Sequence, residues 1–184
     1  EGIRLEIGGR GACPPGDPRA ELAYWTANLG KRIEQVDAAT LAERLAGADL
    51  VIEDLSLSAS GIDWPAIRAA NPALVHMTAT GFGLGNAFSH WQWTDGVLHA
   101  LTTELSRSGI KGRAPLLPPG EIAVQCAVAQ GAYVAMAALT QARVSGAGGP
   151  VDYAALDGAM QALDPAFGIS GSATNGRPAA SLPP

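Results

Sequence analysis

The chain has 184 residues, of which 47% are hydrophobic and 16% charged, so it can bury a substantial core and form one domain or part of a larger one. Its net charge of −5, without a block of Lys and Arg residues, argues against nucleic acid as a partner. Cys13 and Cys126 form neither a CxxC pair nor a Cys/His cluster, which argues against a metal site and favours a reducing, cytoplasmic location.

The first half of the chain alternates between strand and helix patterns. Strands are predicted at residues 4–7, 32–36, 48–55 and 73–80, and helices at residues 38–45 and 62–70. A Gly- and Pro-rich loop at residues 8–18 follows the first strand. This β-α-β-α order predicts an α/β fold with a parallel sheet that helices cover on both faces.

The second half of the chain has mainly helical patterns. Helices are predicted at residues 94–105 and 120–144. Residues 122–139 are apolar enough to suggest a membrane span, but two glutamines and a glycine interrupt them, so we expect a buried helix and no membrane association. The tail from residue 168 is rich in Gly, Ser, Ala and Pro, which is typical of a linker.

Asp157 is the strongest candidate for a catalytic residue. Val151 and Tyr153 alternate with Asp152 and Ala154, which predicts a half-buried strand, and the Ala, Leu and Met residues that follow favour a helix. A carboxylate in the first turn of a helix is stabilised by the helix dipole and can project from the carboxyl end of a strand, where α/β proteins bind ligands. The alternative is that Asp157 only caps or charges the start of the helix.

The segment Gly81-Phe82-Gly83-Leu84-Gly85 follows a predicted strand and suggests a ligand-binding loop. It is not a dinucleotide-binding fingerprint, because Asn86 stands where the third glycine of GxGxxG belongs and no helix opens immediately. The alternative is a turn that contacts no ligand.

The three histidines could each act as a base or relay a proton. His76 lies in a predicted strand and His99 in a predicted helix, where a structural role is expected. His90 lies in a loop beside Trp91 and Trp93, so it is either a candidate site residue or a packing anchor. A serine hydrolase is disfavoured because the chain has no GxSxG motif.

Several segments occur in a recognisable order along the chain. They are Pro14-Pro15-Gly16-Asp17-Pro18, Asn28-Leu29-Gly30-Lys31-Arg32, Ala48-Asp49-Leu50-Val51-Ile52-Glu53, Asn71-Pro72-Ala73-Leu74-Val75, Gly81-Phe82-Gly83, Thr94-Asp95, Pro118-Pro119-Gly120 and Val151-Asp152 with Asp157-Gly158-Ala159. In this order the chain resembles the class III CoA-transferases, the family of formyl-CoA transferase, carnitine CoA-transferase and the alpha-methylacyl-CoA racemases.

The resemblance implies a fold and a division of the chain. The fold is a parallel, Rossmann-like sheet flanked by helices, which forms the large N-terminal domain of these transferases and is incomplete here at both ends. Residues 1–167 then form the partial domain, and residues 168–184 form a tail or linker to a small domain. Family members form intertwined dimers, so a homo- or hetero-dimer is expected.

The resemblance also implies a site. Asp157 occupies the position of the family's catalytic aspartate, which carries CoA from an acyl-CoA to an acceptor carboxylic acid through an aspartyl anhydride and an aspartyl-CoA thioester. No metal is implied, and coenzyme A enters as part of the substrate. The implied CoA-binding residues are Gly81, Phe82, Gly83, His90, Lys31 and Arg32.

Departures from the family pattern leave two alternatives. The racemase branch has a His immediately before the aspartate that Asp95 matches, and this chain has Thr94 there, so transfer is favoured over racemisation. The family's Asn-Phe-Arg-Pro-Gly loop is Asp54-Leu55-Ser56-Leu57-Ser58 here and lacks the Arg that contributes to CoA binding. The other alternative is therefore a catalytically silent half that pairs, as a scaffold, with an active transferase half.

Overall fold

The structure, a computed structural model, describes residues 2–7, 13, 16–55, 57, 61–110 and 112–163. The residues cluster into two units. The first unit comprises Glu1–Ala48 and Asp63–Asn71, and the second comprises Asp49–Ile62 and Pro72–Pro184. The predicted tail at residues 168–184 and most of the predicted loop at residues 8–18 lie outside the described residues. A parallel β-sheet flanked by helices occurs in each unit, which confirms the predicted α/β fold class.

Among its described residues, the first unit holds a two-stranded sheet and three helices. Strand β1 (Ile3–Ile7) pairs in parallel with β2 (Arg32–Val36). The helices are α1 (Pro18–Ala27), α2 (Ala38–Ala46) and α3 (Trp64–Ala70).

Aspartate side chains define where these three helices begin. Asp17, Asp37 and Asp63 each accept a hydrogen bond from a backbone N–H group in the first helical turn. Helix α1 was not predicted, because it buries none of its residues and so has no apolar stripe in its sequence. Helix α2, by contrast, buries Leu41 and Leu45, which lie one turn apart.

The second unit holds a three-stranded parallel sheet in the order β3-β4-β5. The strands are β3 (Leu50–Glu53), β4 (Val75–Thr80) and β5 (Gly149–Ala154), and the helices are α4 (Asp95–Leu101), α5 (Ile122–Ser145) and α6 (Ala155–Leu163). Central strand β4 is buried from Val75 to Thr78, as expected for a strand with a neighbour on each side. Strand β3 and helix α4 are both shorter than their sequence patterns predict.

Helix α5 is buried along one face only. Its buried residues are small and recur about every four positions, as Ala123, Ala127, Gly131, Ala135 and Ala142. The Ala123 and Ala127 part of this face packs against α6, because small side chains let two helices approach closely, and Ala135 packs against the sheet. The predicted buried helix is therefore buried on this face, whereas Tyr133, Met136 and Val144 on the opposite face are exposed.

The length and apolar composition of α5 would also allow it to cross a membrane. The same length and composition occur in core helices of globular domains. Here the small-residue face of α5 contributes to core clusters of its unit, together with residues of α6 and β5.

Candidate functional site

The candidate site lies at the carboxyl edge of the three-stranded sheet. Thr80, the last residue of β4, pairs with Ala154, the last residue of β5, so the two parallel strands end side by side. A glycine loop begins at Gly81 after β4, and α6 begins directly after β5. The Leu156 N–H group in the first turn of α6 donates a hydrogen bond of 3.0 Å to the Gly81 carbonyl. The glycine loop and the start of α6 are therefore direct neighbours.

Asp157 is exposed in the first turn of α6. The buried residues of this helix, Ala155, Gly158 and Ala159, lie around it in sequence and pack into the core. The Asp157 side chain makes no hydrogen bond or ion pair to any residue that the structure describes. Because its carboxylate does not cap α6, it remains accessible to a ligand. The positive end of the helix dipole stabilises its negative charge.

The glycine loop is held by both of the strands it adjoins. Its Gly83 N–H group donates to Thr80 Oγ1 at 2.9 Å, and its Leu84 N–H group donates to Asp152 Oδ2 of β5 at 2.9 Å. Asn86 closes the loop by donating from Nδ2 to the Phe82 carbonyl at 2.8 Å. Asp152 thus has a defined structural role, which the alternation pattern in the sequence did not indicate.

Aromatic side chains pack around the glycine loop. The indole of Trp93 lies against Gly81 so closely that a Cβ atom at Gly81 would collide with it. Phe82 and Phe88 both contact Trp91 edge to face, with ring centroids 6.0 and 4.8 Å apart. We call Phe82, Phe88 and Trp91 the aromatic cluster, and its Phe88 and Trp91 are about half exposed.

His90 lies between two members of the aromatic cluster in sequence, but its side chain is exposed. It makes no hydrogen bond or ion pair to the described residues. The packing in this loop is made by Phe88 and Trp91 instead. The prediction that His90 contributes to a ligand site stays a prediction. Among the described residues, no hydrogen bond or ion pair of His90 supports the alternative of a packing anchor.

Lys31 and Arg32, the predicted cationic CoA-binding residues, belong to the first unit. Lys31 Nζ donates to the Ala27 carbonyl at 2.7 Å, at the end of α1. Arg32 Nε lies 2.7 Å from Glu34 Oε1, and the second Glu34 oxygen lies 3.1 Å from Arg44. Both cations therefore have local partners, and their role toward a ligand stays a prediction.

Tyr153 is a residue of the site that the sequence did not single out. Its hydroxyl group is buried and donates a 2.5 Å hydrogen bond to the Ala127 carbonyl of α5. Burial, and then the negative charge of Asp157, raise the pKa of Tyr153 above 10.0, while a backbone group of Gly131 acts in the opposite direction. Gly158, the residue after Asp157, packs against the Tyr153 hydroxyl group, so the phenol adjoins the helical turn that carries the candidate catalytic carboxylate.

The other two histidines have the structural roles that were predicted for them. His76 is buried on β4, and its Nε2 lies 3.2 Å from Glu53 Oε1 of β3. His99 is buried on α4, with Nδ1 in contact with Glu104 and Nε2 3.2 Å from Asp95 Oδ2. Among the described residues, His, Cys, Asp and Glu side chains form no group of three or more that could hold a metal ion.

The sequence model of CoA-transferase family III matches residues 12–181 of the chain. This range contains every predicted site residue. It covers both the unit that carries Lys31 and Arg32 and the unit that carries Asp157 and the glycine loop.

Three curated proteins illustrate the similarity. The chain is 32% identical over 148 residues, 78% of its length, to the probable CoA-transferase Rv1866 of Mycobacterium tuberculosis. It is 30% identical over 171 residues, 86% of its length, to subunit BbsE of the succinyl-CoA:(R)-benzylsuccinate CoA-transferase of Thauera aromatica. It is 28% identical over 151 residues, 77% of its length, to the succinate–glutarate CoA-transferase of Agrobacterium fabrum. The chain spans 19%, 42% and 38% of these relatives, respectively.

Solved structures share the fold. A CaiB/BaiF family protein from Brucella suis superposes with a TM-score of 0.80 over 96% of this chain and 51% of that protein, at 22% identity. Rv3272 from Mycobacterium tuberculosis superposes with a TM-score of 0.71 over 91% of this chain and 50% of that protein, also at 22% identity. The chain thus spans about half the length of these solved relatives, and its α/β arrangement is the one they contain.

Proposed function

Because the chain belongs to CoA-transferase family III, we propose that it transfers coenzyme A from an acyl-CoA to an acceptor carboxylic acid, with Asp157 as the nucleophile. The observation that carries the proposal is the position of Asp157. It is an exposed carboxylate in the first turn of α6, next to the glycine loop at the carboxyl edge of the sheet. Ligands of open α/β sheets bind at this edge.

The first half of the proposed reaction loads CoA onto the protein. An Asp157 oxygen attacks the thioester carbonyl carbon and the carbon–sulfur bond breaks. CoA leaves as a thiolate, and a mixed acyl-aspartyl anhydride remains. The thiolate then attacks the carbonyl carbon of Asp157. This step forms the aspartyl-CoA thioester and releases the donor acid as a carboxylate.

The second half repeats these steps in reverse with the acceptor. The acceptor carboxylate attacks the aspartyl-CoA thioester, which gives a second mixed anhydride and frees the CoA thiolate. The thiolate then attacks the acyl carbon of the acceptor, which forms the new acyl-CoA and restores the Asp157 carboxylate. No atom is gained or lost over the cycle, and no oxidant or metal is required.

Two features of the site support this chemistry. The N-terminal end of α6 carries the positive end of the helix dipole, which favours the oxyanions that develop during carbonyl attack. The glycine loop is fixed to both β4 and β5, so its backbone can hold one position beside the nucleophile during both half-reactions.

Activity of Asp157 variants tests the proposal. The full-length gene product is assayed with succinyl-CoA, the donor in the name of the BbsE relative, and a panel of carboxylic acids. Asp157→Asn and Asp157→Ala are expected to lower kcat by at least about 10³-fold, because the nucleophile is lost. Asp49→Asn removes an exposed carboxylate at the opposite, amino end of β3 and is expected to keep full activity. Full activity in Asp157→Ala would refute the proposal.

A silent scaffold half is the second candidate function. The observation that favours it lies in the loop after β3, because residues 49–67 contain no Lys or Arg for the phosphates of CoA. Calorimetric titration of the full-length protein with CoA separates the two candidates. Saturable binding that Asp157→Asn preserves supports the transferase, whereas no binding supports the scaffold.

We expect the partners of the site to be an acyl-CoA and a carboxylic acid, in the cytoplasm. The BbsE relative and the alpha subunit of the succinyl-CoA–L-malate CoA-transferase of Chloroflexus aurantiacus are both named as subunits, which supports a homo- or hetero-dimer. Racemisation is the least favoured reaction, because Thr94 has no imidazole with which to move an α-proton.

A further inference from the structure

Tyr153 occupies a space that two glycines leave open. A Cβ atom at Gly131 of α5 would lie 2.9 Å from Tyr153 Cε1, which is closer than side chains tolerate. A Cβ atom at Gly158 of α6 would collide with the Tyr153 hydroxyl group itself. The phenol ring therefore fits between α5 and α6 only because both positions lack a side chain.

The hydroxyl group of Tyr153 also fixes how α5 and α6 meet. It donates to the Ala127 carbonyl at 2.5 Å, and Ala127 Cα would lie 3.1 Å from a Cβ atom at Gly158. The Tyr153 side chain thus contacts both the backbone of α5 at Ala127 and Gly158, the residue that follows Asp157. The Leu156 N–H group ties the same helical turn to Gly81 of the glycine loop.

We propose that Tyr153 is a positioning residue for Asp157: its phenol, seated between Gly131 and Gly158, fixes the first turn of α6 against α5 and so sets where the Asp157 carboxylate stands. This inference rests on the proposed function of Asp157 as nucleophile. Displacing a nucleophile by about 1 Å can lower the rate about 10²-fold, so a residue that never touches the substrate can control kcat.

The phenol suits this role because it adds no charge beside the nucleophile. Burial and the Asp157 charge raise the pKa of Tyr153, so the group stays neutral at neutral pH. A second anion would repel both the carboxylate and an anionic substrate.

A double-variant experiment on the full-length protein tests the proposal. In the wild-type background, Tyr153→Phe removes the bond to Ala127 and is expected to lower kcat about threefold, with KM for acyl-CoA within about twofold. Gly158→Ala is expected to lower kcat at least about tenfold, because its methyl group displaces the Tyr153 hydroxyl. In the Gly158→Ala background, Tyr153→Phe removes the colliding oxygen and is expected to raise kcat. Tyr153→Phe is therefore expected to lower kcat in the wild-type background and to raise it in the Gly158→Ala background.

Gly149→Ala is the matched control for adding a methyl group. It lies on the same strand as Tyr153, and its Cβ atom would meet nothing within 4 Å. It is expected to keep wild-type kcat and KM.

Amide hydrogen exchange gives a readout that does not depend on activity. The reporter is the Leu156 amide, which is bonded to Gly81, and the reference is the Val75 amide, which is bonded to Asp49 at 3.0 Å. Gly158→Ala and Tyr153→Val are expected to speed exchange at Leu156 at least about tenfold relative to Val75. Tyr153→Val serves in place of Gly158→Ala if the latter does not fold.

The outcomes separate the positioning role of Tyr153 from the proposed function of Asp157 as nucleophile. Unchanged Leu156 exchange in Tyr153→Val, or an equal loss of kcat from Tyr153→Phe in both backgrounds, would overturn the positioning role. A wild-type protein without CoA transfer, but with the expected exchange pattern, would overturn the proposed function and leave Tyr153 as the residue that orders this turn.

Discussion

At the scale of single residues, Asp157 and Tyr153 show opposite environments only four positions apart. Asp157 is exposed and without a polar partner among the described residues, whereas Tyr153 is 9% exposed and hydrogen-bonded. The change from strand to helix between them explains the difference, because Ala154 ends β5 and Ala155 begins α6. The alternation of residues 151–154 predicted this change, so the place of Asp157 at the start of a helix could be read from local sequence.

The role of Tyr153 could not be read in that way. Its partners Ala127 and Gly131 lie more than twenty positions earlier in the chain, inside a helix whose sequence shows only an Ala-rich apolar run. The local signal is Gly158, because glycine disfavours helix formation and yet stands within the first turns of α6. A glycine inside a short helix is worth examining for a close packing partner.

The stability of the protein at high pH should depend on Tyr153. Its pKa in the folded protein is raised above 10.0, so the folded state holds the phenolic proton more tightly than the unfolded chain. This stabilisation is complete below about pH 10 and is lost as the pH rises through the raised pKa. Chemical unfolding at pH 8 and pH 11 is expected to show a larger loss of unfolding free energy for the wild type than for Tyr153→Phe.

Tyr133→Phe is the control for the alkaline experiment, since it removes a tyrosine that is 73% exposed. It is expected to lose as much stability as the wild type between the two pH values. An equal loss in Tyr153→Phe would show that the buried phenol does not contribute.

At the scale of elements, the start of α5 receives its cap from another helix. The sequence predicts this helix from residue 120, and it begins at Ile122, but Glu121 at the cap position makes no capping bond through its side chain. Asp95 of α4 accepts a 3.0 Å hydrogen bond from the Val124 N–H group instead, and its other oxygen lies beside buried His99. Sequence patterns identify caps within one segment, so this cap between helices could be seen only in three dimensions.

Removal of this cap should destabilise the second unit. Asp95→Ala leaves the Val124 N–H group without its side-chain acceptor and is expected to lower the unfolding free energy by about 0.5–2 kcal/mol. Asp95→Asn keeps an acceptor oxygen and is expected to lose less. The measurement is the midpoint of denaturant unfolding, and equal losses in both variants would contradict the capping role.

At the scale of the whole molecule, the order of motifs along the chain predicted more than any single motif. The family was recognised from the ordered segments, and the α/β fold and the match of residues 12–181 confirm it. The aromatic cluster and the bond from Leu84 to Asp152 were not foreseen, because they depend on how the loop after β4 folds back onto β5. The predicted ligand roles of Gly81, Phe82, Gly83, His90, Lys31 and Arg32 concern a bound CoA and remain predictions.

The central claim is that Asp157 carries the acyl group and then CoA during transfer. Mass spectrometry of the full-length protein, quenched during turnover with succinyl-CoA and treated with hydroxylamine, tests it most directly, because hydroxylamine converts an aspartyl anhydride or thioester into an aspartyl hydroxamate. We predict that the modification maps to Asp157 and is absent from Asp157→Asn and from protein incubated with free CoA. Turnover with an unmodified Asp157, or a modification at another carboxylate that survives in Asp157→Asn, would contradict the account.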